Sequence, residues 1–139
     1  MLNLPISDIM NDHPIKVLSD VTIRNVAHLM LRYRINGILV VDRNDAEKLC
    51  GVFTTTDLMN VMGGVLAKRA KKMQALNELG EKPIGAYLSK DFVTMQKDDS
   101  AAKAVGLMHK KNVLTIPVYD GDKLVGVIGR HDVINIAFA

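Results

Sequence analysis

The sequence GVFTTTDL at residues 51–58 recurs in similar form as GVIGRHDV at residues 126–133. Each stretch begins with glycine, continues with apolar residues and places an aspartate, Asp57 or Asp132, at the same distance from that glycine. A short apolar run followed by residues that favour the first turn of a helix predicts a buried strand leading directly into a helix. The chain therefore contains the same strand–helix junction twice.

The repetition extends outward from these junctions. ISDIM at residues 6–10 aligns with IGAYL at residues 84–88, and LVVD at residues 39–42 aligns with PVYD at residues 117–120. Internal repetition of this length predicts two supersecondary units that complete one another's core. We therefore expect a functional cleft between the two copies.

Apolar periodicity predicts the order helix, strand, helix, strand, strand, helix in each copy. In the first copy we expect Asp20 to cap a helix whose core-facing residues are Ile23, Val26, Ala27, Met30 and Leu31. The matching helix follows Asp98 and Asp99 and buries Ala101, Ala104, Val105 and Met108; Gly106 weakens it, and its small residues indicate close packing. Continuous apolar runs predict strands at residues 38–41, 49–53, 114–119 and 124–128.

The segment between the copies predicts an amphipathic helix that ends near Gly80. Its apolar face holds Met62, Leu66, Ala70, Met73 and Leu76, and its other face holds Lys68, Arg69, Lys71 and Lys72. We expect three regions: a first repeat at residues 1–62, a helical linker at 63–83 and a second repeat at 84–139. The basic face is most simply a solvated surface, with docking of an acidic protein, a phosphate or a nucleic acid as the alternative.

The composition is that of a globular domain in the cytoplasm. Of the 139 residues, 48% are hydrophobic and 24% charged, and the net charge of +3 favours a small anionic ligand more than nucleic acid. Cys50 is the only cysteine, which excludes an internal disulfide and indicates a buried strand thiol in a reducing compartment. No apolar run reaches the roughly 20 residues of a membrane span, and the first ten residues lack signal-peptide features, so we expect no membrane association.

The junctions offer binding chemistry rather than catalysis. The spacing of Thr54 and Asp57 is that of a capping box, and the same turn could present amides and a hydroxyl to a phosphate and a carboxylate to a ribose diol. His13, His28 and His109 have no metal-ligand spacing, and no activated nucleophile is evident. We therefore expect a protein that is not an enzyme and that needs no metal or cofactor.

In these features the chain resembles the tandem CBS-domain pair, or Bateman module, over almost all of residues 6–134. The resemblance rests on Ile9-Met10 and Tyr87-Leu88, on the strand endings at residues 40–42 and 116–120, and on the two glycine-led closing stretches. It implies an α/β (α+β) fold of two pseudo-symmetric β-α-β-β-α repeats packed sheet to sheet. It also implies binding of an adenosyl ligand, which is AMP, ADP, ATP or S-adenosylmethionine, and self-association into a homodimer.

The resemblance also implies roles for individual residues. Asp57 would bind the ribose hydroxyls, Thr54 the ribose or phosphate, and Val52 would lie beneath the sugar, with an adenine slot made by Phe92, Val93, Thr115, Ile116 and Pro117. The second cleft would use Asp132 and Val127, with Ile15, Gly37, Ile38 and Leu39 as its slot. Gly129 stands where the second threonine is expected, and Leu39 where the first copy would have proline. One occupied cleft, built on Asp57, is therefore the expected stoichiometry.

Arg130 and His131 are the candidate phosphate ligands, because they begin the last predicted helix. The main hypothesis is a regulatory module that signals adenosyl binding through a conformational or dimer change. One alternative is a ligand-free interaction module that docks an unidentified protein through the basic linker helix. Nucleic-acid binding by that helix is a weaker alternative, since the chain has few aromatic residues for base stacking.

Overall fold

The computed structural model describes residues 2–89 and 91–139 and divides into two compact units. The first-repeat unit is Lys16–Asp91, and the second-repeat unit combines the residues up to Ile15 with Phe92–Ala139. Within the described residues each unit has one three-stranded mixed sheet. The predicted α/β class and the order of elements in each copy are confirmed.

The first-repeat unit has the strand order β1-β2-β3, with β1 at Lys16–Leu18, β2 at Gly37–Val41 and β3 at Leu49–Thr54. Strand β1 runs parallel to β2, and β2 runs antiparallel to β3. Since parallel neighbours need a crossover, helix α1 at Ile23–Tyr33 connects β1 to β2. Strand β2 has four buried residues in succession, Ile38 to Val41, as expected for a strand covered on both faces.

Helix α1 differs from its prediction at both ends. Its N-cap is Thr22, whose hydroxyl accepts from the amide of Asn25 at 3.2 Å, whereas Asp20 is exposed and hydrogen-bonds Arg43. A threonine directly before the helix satisfies a first-turn amide that Asp20 lies too early to reach. Ile23, Val26 and Met30 are buried as predicted, but Leu31 is 76% exposed, because it lies at the edge of the apolar stripe.

The predicted single linker helix is wrong. Helix α2 continues from the end of β3 through Thr55–Lys68, the chain then breaks at residues 69–71, and helix α3 occupies Lys72–Gly80. Two basic side chains form hydrogen bonds across this break. The Arg69 guanidinium donates to the Glu78 carboxylate at 3.0 Å, and the Lys72 ammonium donates to the Leu66 carbonyl at 2.8 Å. The Arg69 hydrogen bond also lowers the pKa of Glu78.

The second-repeat unit repeats the same arrangement. It contains β4 at Met95–Gln96, α4 at Ala101–Lys111, β5 at Thr115–Asp120, β6 at Lys123–Gly129 and α5 at Arg130–Ala137. Strand β4 is parallel to β5, and β5 is antiparallel to β6. Its buried core contains the strand residues Met95, Ile116, Val118 and Ile128. Ala104 of α4, Val133 of α5 and Ile6 of the N-terminal segment pack against them.

Each unit includes the opening segment of the other sequence repeat. The 3₁₀ helix Ile6–Asp8 belongs to the second-repeat unit, where the Ile6 amide donates to Asp99 at 2.8 Å and Asn11 pairs with Val127. The 3₁₀ helix Ile84–Tyr87 belongs to the first-repeat unit, where the Ile84 amide donates to Val21 at 2.9 Å. The compact units therefore divide the chain differently from the sequence repeats.

Three smaller expectations are corrected. Ala101 and Ala104 are fully buried, as expected for closely packed small residues, but Val105 is 41% exposed and a Cβ built on Gly106 meets nothing within 4 Å, so the next turn of α4 faces solvent. Cys50 lies in β3 as expected but is only half-buried.

Among the residues that the structure describes, no helix has both the length and the apolar character needed to cross a bilayer.

Candidate functional site: two matching strand–helix junctions

The first junction joins β3 to α2 at Thr54. The amide of Thr54 donates to the Asp57 carboxylate at 2.8 Å, and the amide of Asp57 donates to the Thr54 hydroxyl at 3.1 Å. This reciprocal pair confirms the predicted capping box. Only Oδ2 of Asp57 is used, and no other described residue hydrogen-bonds this side chain. Because a carboxylate offers about four acceptor positions, most of its capacity remains available.

The second junction joins β6 to α5 at Gly129. The amide of Gly129 donates to the Asp132 carboxylate at 2.7 Å, which reproduces half of the first capping box. The other half is missing because glycine has no hydroxyl, as the sequence indicated. Burial raises the pKa of Asp132, although the Gly129 hydrogen bond and the neighbouring His131 oppose this shift.

Both junctions are fixed to the neighbouring strand in the same way. The amide of Thr55 donates to the Asn36 carbonyl at 2.9 Å, and the amide of Arg130 donates to the Leu114 carbonyl at 3.2 Å. Asn36 and Leu114 each directly precede the central strand of their sheet. The start of each helix is therefore anchored beside the start of the central strand.

A threonine and a glycine form the residue pair at each helix cap, but they occupy opposite strands in the two units. In the first-repeat unit Gly37 lies opposite Thr54, and in the second-repeat unit Thr115 lies opposite Gly129. Each sheet therefore carries one threonine and one glycine at this register position, but on opposite strands. The sequence prediction noted the glycine at 129 and did not consider what faces it.

The predicted slot residues are sheet neighbours of the junction in their own unit. Ile38 and Leu39 lie opposite Phe53 and Val52 in the first-repeat unit. Ile116 and Pro117 lie opposite Ile128 and Val127 in the second-repeat unit. The resemblance assigns Thr115, Ile116 and Pro117 to the cleft of Asp57, and Gly37, Ile38 and Leu39 to that of Asp132, and this grouping across the repeats stays a prediction. The register within each sheet shows only which strand residues neighbour a junction in its own unit.

The predicted slot residues differ in exposure. Ile38, Leu39, Ile116 and Pro117 are fully buried, and Val52 is nearly so. Val93 packs against the second-repeat core and, like Ile15, Phe92 and Val127, is half-buried. The candidate phosphate ligands Arg130 and His131 are exposed in the first turn of α5. No group of three His, Cys, Asp or Glu residues within the described part of the chain could hold a metal ion.

The helical part of the first-repeat unit contains two cavities that the sequence did not predict. One of about 370 Å³ lies along α2 and is lined by Asn60, Val61, Gly64, Val65, Lys68, Arg69 and Tyr87. The other, of about 240 Å³, lies among α1, α2 and α3 and includes Ile23, Leu58, Met62, Leu76 and Leu79. Neither includes Thr54 or Asp57.

Several known proteins are similar to this chain. Homoserine O-acetyltransferase of Methanosalsum zhilinae is 26% identical over 132 residues, which cover 94% of this chain and 23% of that enzyme. The chain thus spans well under half the length of the curated relatives it matches first.

Solved structures share the fold, and two of them illustrate it. The CBS domain pair of protein MJ0100, in complex with 5-methylthioadenosine and S-adenosyl-L-methionine, has a TM-score of 0.76 and 23% identity, with coverage of 97% of this chain and 96% of that one. CBSX2 in complex with AMP has a TM-score of 0.72 and 21% identity, with coverage of 96% of each chain. The model of the CBS domain matches twice, at residues 6–64 and 84–138. The chain belongs to the CBS-domain family, as a tandem pair.

Proposed function

We propose that this protein is a non-catalytic regulatory module that binds an adenosyl ligand at its strand–helix junctions. The observation that carries the proposal is the Asp57 carboxylate, which is held in place by the Thr54 amide and keeps one oxygen free of protein hydrogen bonds among the described residues. A fixed carboxylate oxygen is a good acceptor for the two adjacent hydroxyls of a ribose. The first ligand-binding residues are therefore Asp57 and Thr54.

The surroundings of Asp57 suit a nucleoside better than a free sugar. Strands β2 and β3 place buried aliphatic side chains, those of Leu39 and Val52, beside this junction. Ligand sites commonly combine an apolar lining with a few fixed polar groups. An adenosyl compound has both parts, a flat base for the apolar lining and a diol for the carboxylate.

The known relatives support the ligand class. The CBS pair of MJ0100 is in complex with two adenosyl compounds, and CBSX2 is in complex with AMP. Enzyme relatives such as the homoserine O-acetyltransferase exceed this chain greatly in length, so their chemistry does not transfer to it. Both facts support a regulatory role without catalysis.

The test is titration calorimetry with AMP, ADP, ATP and S-adenosylmethionine. We expect at least one of them to bind, and Asp57→Asn to remove that binding while keeping an oxygen that accepts from the Thr54 amide. Asp122→Asn, an exposed substitution in the β5–β6 turn with the same charge change, is the matched control. The proposal fails if none of the four compounds binds, or if Asp57→Asn binds as the wild type does.

Signalling would follow from a difference in ligand affinity between two arrangements of the protein. Such coupling is commonly about 1–3 kcal/mol. We propose a cytoplasmic homodimer whose geometry changes with ligand, and the exposed apolar side chains Ile134 and Phe138, one helical turn apart at the end of α5, are candidates for its interface. Light scattering during size-exclusion chromatography, with and without AMP, measures this; a monomer under both conditions contradicts the dimer.

A further inference from the structure

We propose that the larger cavity, which lies along α2 and measures about 370 Å³, binds a small carboxylic acid with an apolar body. All of its lining residues belong to the first-repeat unit, and neither Thr54 nor Asp57 is among them. The inference is therefore independent of the proposed function and adds a second class of ligand.

The shape of this cavity follows from the spacing of residues on α2. Asn60, Gly64 and Lys68 recur at intervals of four residues, and Val61 and Val65 lie beside them, so all five share one side of the helix. At a rise of about 1.5 Å per residue, this side extends for about 12 Å. Small-molecule sites commonly enclose about 300–1,000 Å³. The cavity therefore has the size expected for a small organic ligand.

The lining is apolar over the turns of α2 that precede Lys68. Val61, Val65 and Tyr87 are half-buried there, and a Cβ built on Gly64 would meet nothing within 4 Å. The absent side chain of Gly64 thus leaves free space along the helical wall of the cavity. Aliphatic and aromatic side chains around such a space favour an apolar ligand body.

Positive charge lies at the C-terminal end of the cavity, where Lys68 and Arg69 line it. Arg69 is paired with Glu78 at 3.0 Å, whereas the Lys68 ammonium has no hydrogen bond or ion pair among the residues that the structure describes. No described aspartate or glutamate lines the cavity. One uncompensated ammonium favours a ligand with a single negative charge, a carboxylate, over a multiply charged phosphate.

Two neighbouring groups favour an anion at this end. The last carbonyls of a helix carry partial negative charge, but the Lys72 ammonium donates to the Leu66 carbonyl at 2.8 Å and offsets part of it. The Tyr87 hydroxyl has no hydrogen-bond partner within the described ranges, and no buried side-chain polar atom there lacks one. Because Tyr87 is half-buried, its hydroxyl is therefore accessible to solvent and available to donate to a carboxylate.

NMR titration with 4-phenylbutyrate tests the site, and 4-phenylbutyramide, which has the same apolar body without the charge, is the matched compound. We expect the acid to bind and to shift the amide resonances of residues 60–69 and 87. The neutral compound should bind about twofold to fivefold more weakly, the contribution of one partly solvated ion pair. Added AMP should not displace the acid.

A filling variant shows whether the cavity itself holds the ligand. Gly64→Leu places a side chain in the free space and should weaken binding about tenfold or more. Gly63→Leu is the control, because a Cβ at this next position of α2 also meets nothing within 4 Å, yet residue 63 does not line the cavity. Leucine favours helix over glycine, so both variants should fold, and urea denaturation verifies this.

A charge variant tests the class of ligand. Lys68→Gln should weaken binding of 4-phenylbutyrate about twofold to fivefold and leave the acid and the neutral compound equal in affinity. Lys71→Gln makes the same charge change at an exposed residue outside the cavity and should bind as the wild type does.

The contrary outcomes are specific. Shifts confined to other residues, or equal binding by Gly64→Leu and Gly63→Leu, overturn the site. Equal affinity of the wild type for the acid and the neutral compound overturns the anionic class of ligand. Displacement by AMP would place the acid in the nucleotide site and also overturn the inference. A failure of every adenosyl compound to bind would contradict the proposed function alone.

Discussion

Gly51 lies so close to Ser89 that a Cβ added to the glycine would be 2.8 Å from the Ser89 carbonyl oxygen. Gly126 has the matching relationship, with the Asn11 carbonyl oxygen at 2.7 Å. In both cases the neighbour is backbone from the opening segment of the other sequence repeat. The glycine that begins each closing stretch is therefore required by the close approach of a second chain segment.

Replacing Gly51 with alanine should destabilise the protein by about 1–3 kcal/mol, because the obstructing atom is a main-chain oxygen that cannot rotate away. Gly64→Ala is the matched control: it lies within α2, and its Cβ would meet nothing within 4 Å. That control should stabilise the protein by up to about 1 kcal/mol, since alanine favours helix. Urea denaturation measures both changes, and equal effects would contradict the steric explanation.

Replacing Thr54 with alanine should cost about 0.5–2 kcal/mol of folding free energy, because the amide of Asp57 loses its hydroxyl acceptor. Thr54→Ser keeps an acceptor and should recover most of that loss. Thr56→Ala, an exposed residue in the same turn, provides the comparison by urea denaturation. A loss for Thr56→Ala as large as that for Thr54→Ala would show that general helix effects outweigh the cap.

The sequence predicted those features that depend on neighbours along the chain. The capping box at Thr54 and Asp57 needs only their spacing, and the strand β2 needs only its apolar run. The place of Thr115 opposite Gly129 depends on strand register, which no linear pattern contains. The two carboxylates of the proposed ligand sites could therefore be chosen from the sequence, whereas the strand residue that lies opposite each helix cap is known only from the structure.

The helix ends show why local patterns were insufficient elsewhere. Asp20 and Thr22 are both favourable N-caps by residue type, and only the backbone path selects Thr22. The linker has continuous amphipathic spacing, yet it breaks after Lys68, where Arg69 and Lys72 bond to groups on the other side of the break. These hydrogen bonds join the two sides of the break, which the apolar spacing along the sequence does not indicate.

The two neighbouring residues Met30 and Leu31 should differ sharply in their contribution to stability. Met30 is 4% exposed and Leu31 is 76% exposed, although the apolar pattern assigns both to the core face of α1. Met30→Ala should therefore cost about 2–5 kcal/mol, whereas Leu31→Ala should change stability by about 0.5 kcal/mol or less. Thermal and urea denaturation provide the comparison. A large loss for Leu31→Ala would mean that this side chain is covered in solution, as it would be in a dimer interface.

The ionisation of Asp132 should make folding stability fall as the pH rises through its titration range. Burial raises its pKa in the folded protein above the ordinary value of 3.8, which we take for the unfolded chain. Below that value both states hold the proton. As the pH increases, the unfolded chain releases its proton first, so unfolding becomes more favourable until the folded carboxyl has also ionised.

Asp132→Asn tests this relationship because asparagine cannot ionise yet can still accept from the Gly129 amide. Urea denaturation of the variant and the wild type should be compared from below pH 3.8 to neutrality. The stability of the variant relative to the wild type should increase across the titration range and then remain level, since above that range both wild-type states are ionised. A relative stability that stays constant, or that decreases with pH, would show that burial does not dominate the environment of Asp132.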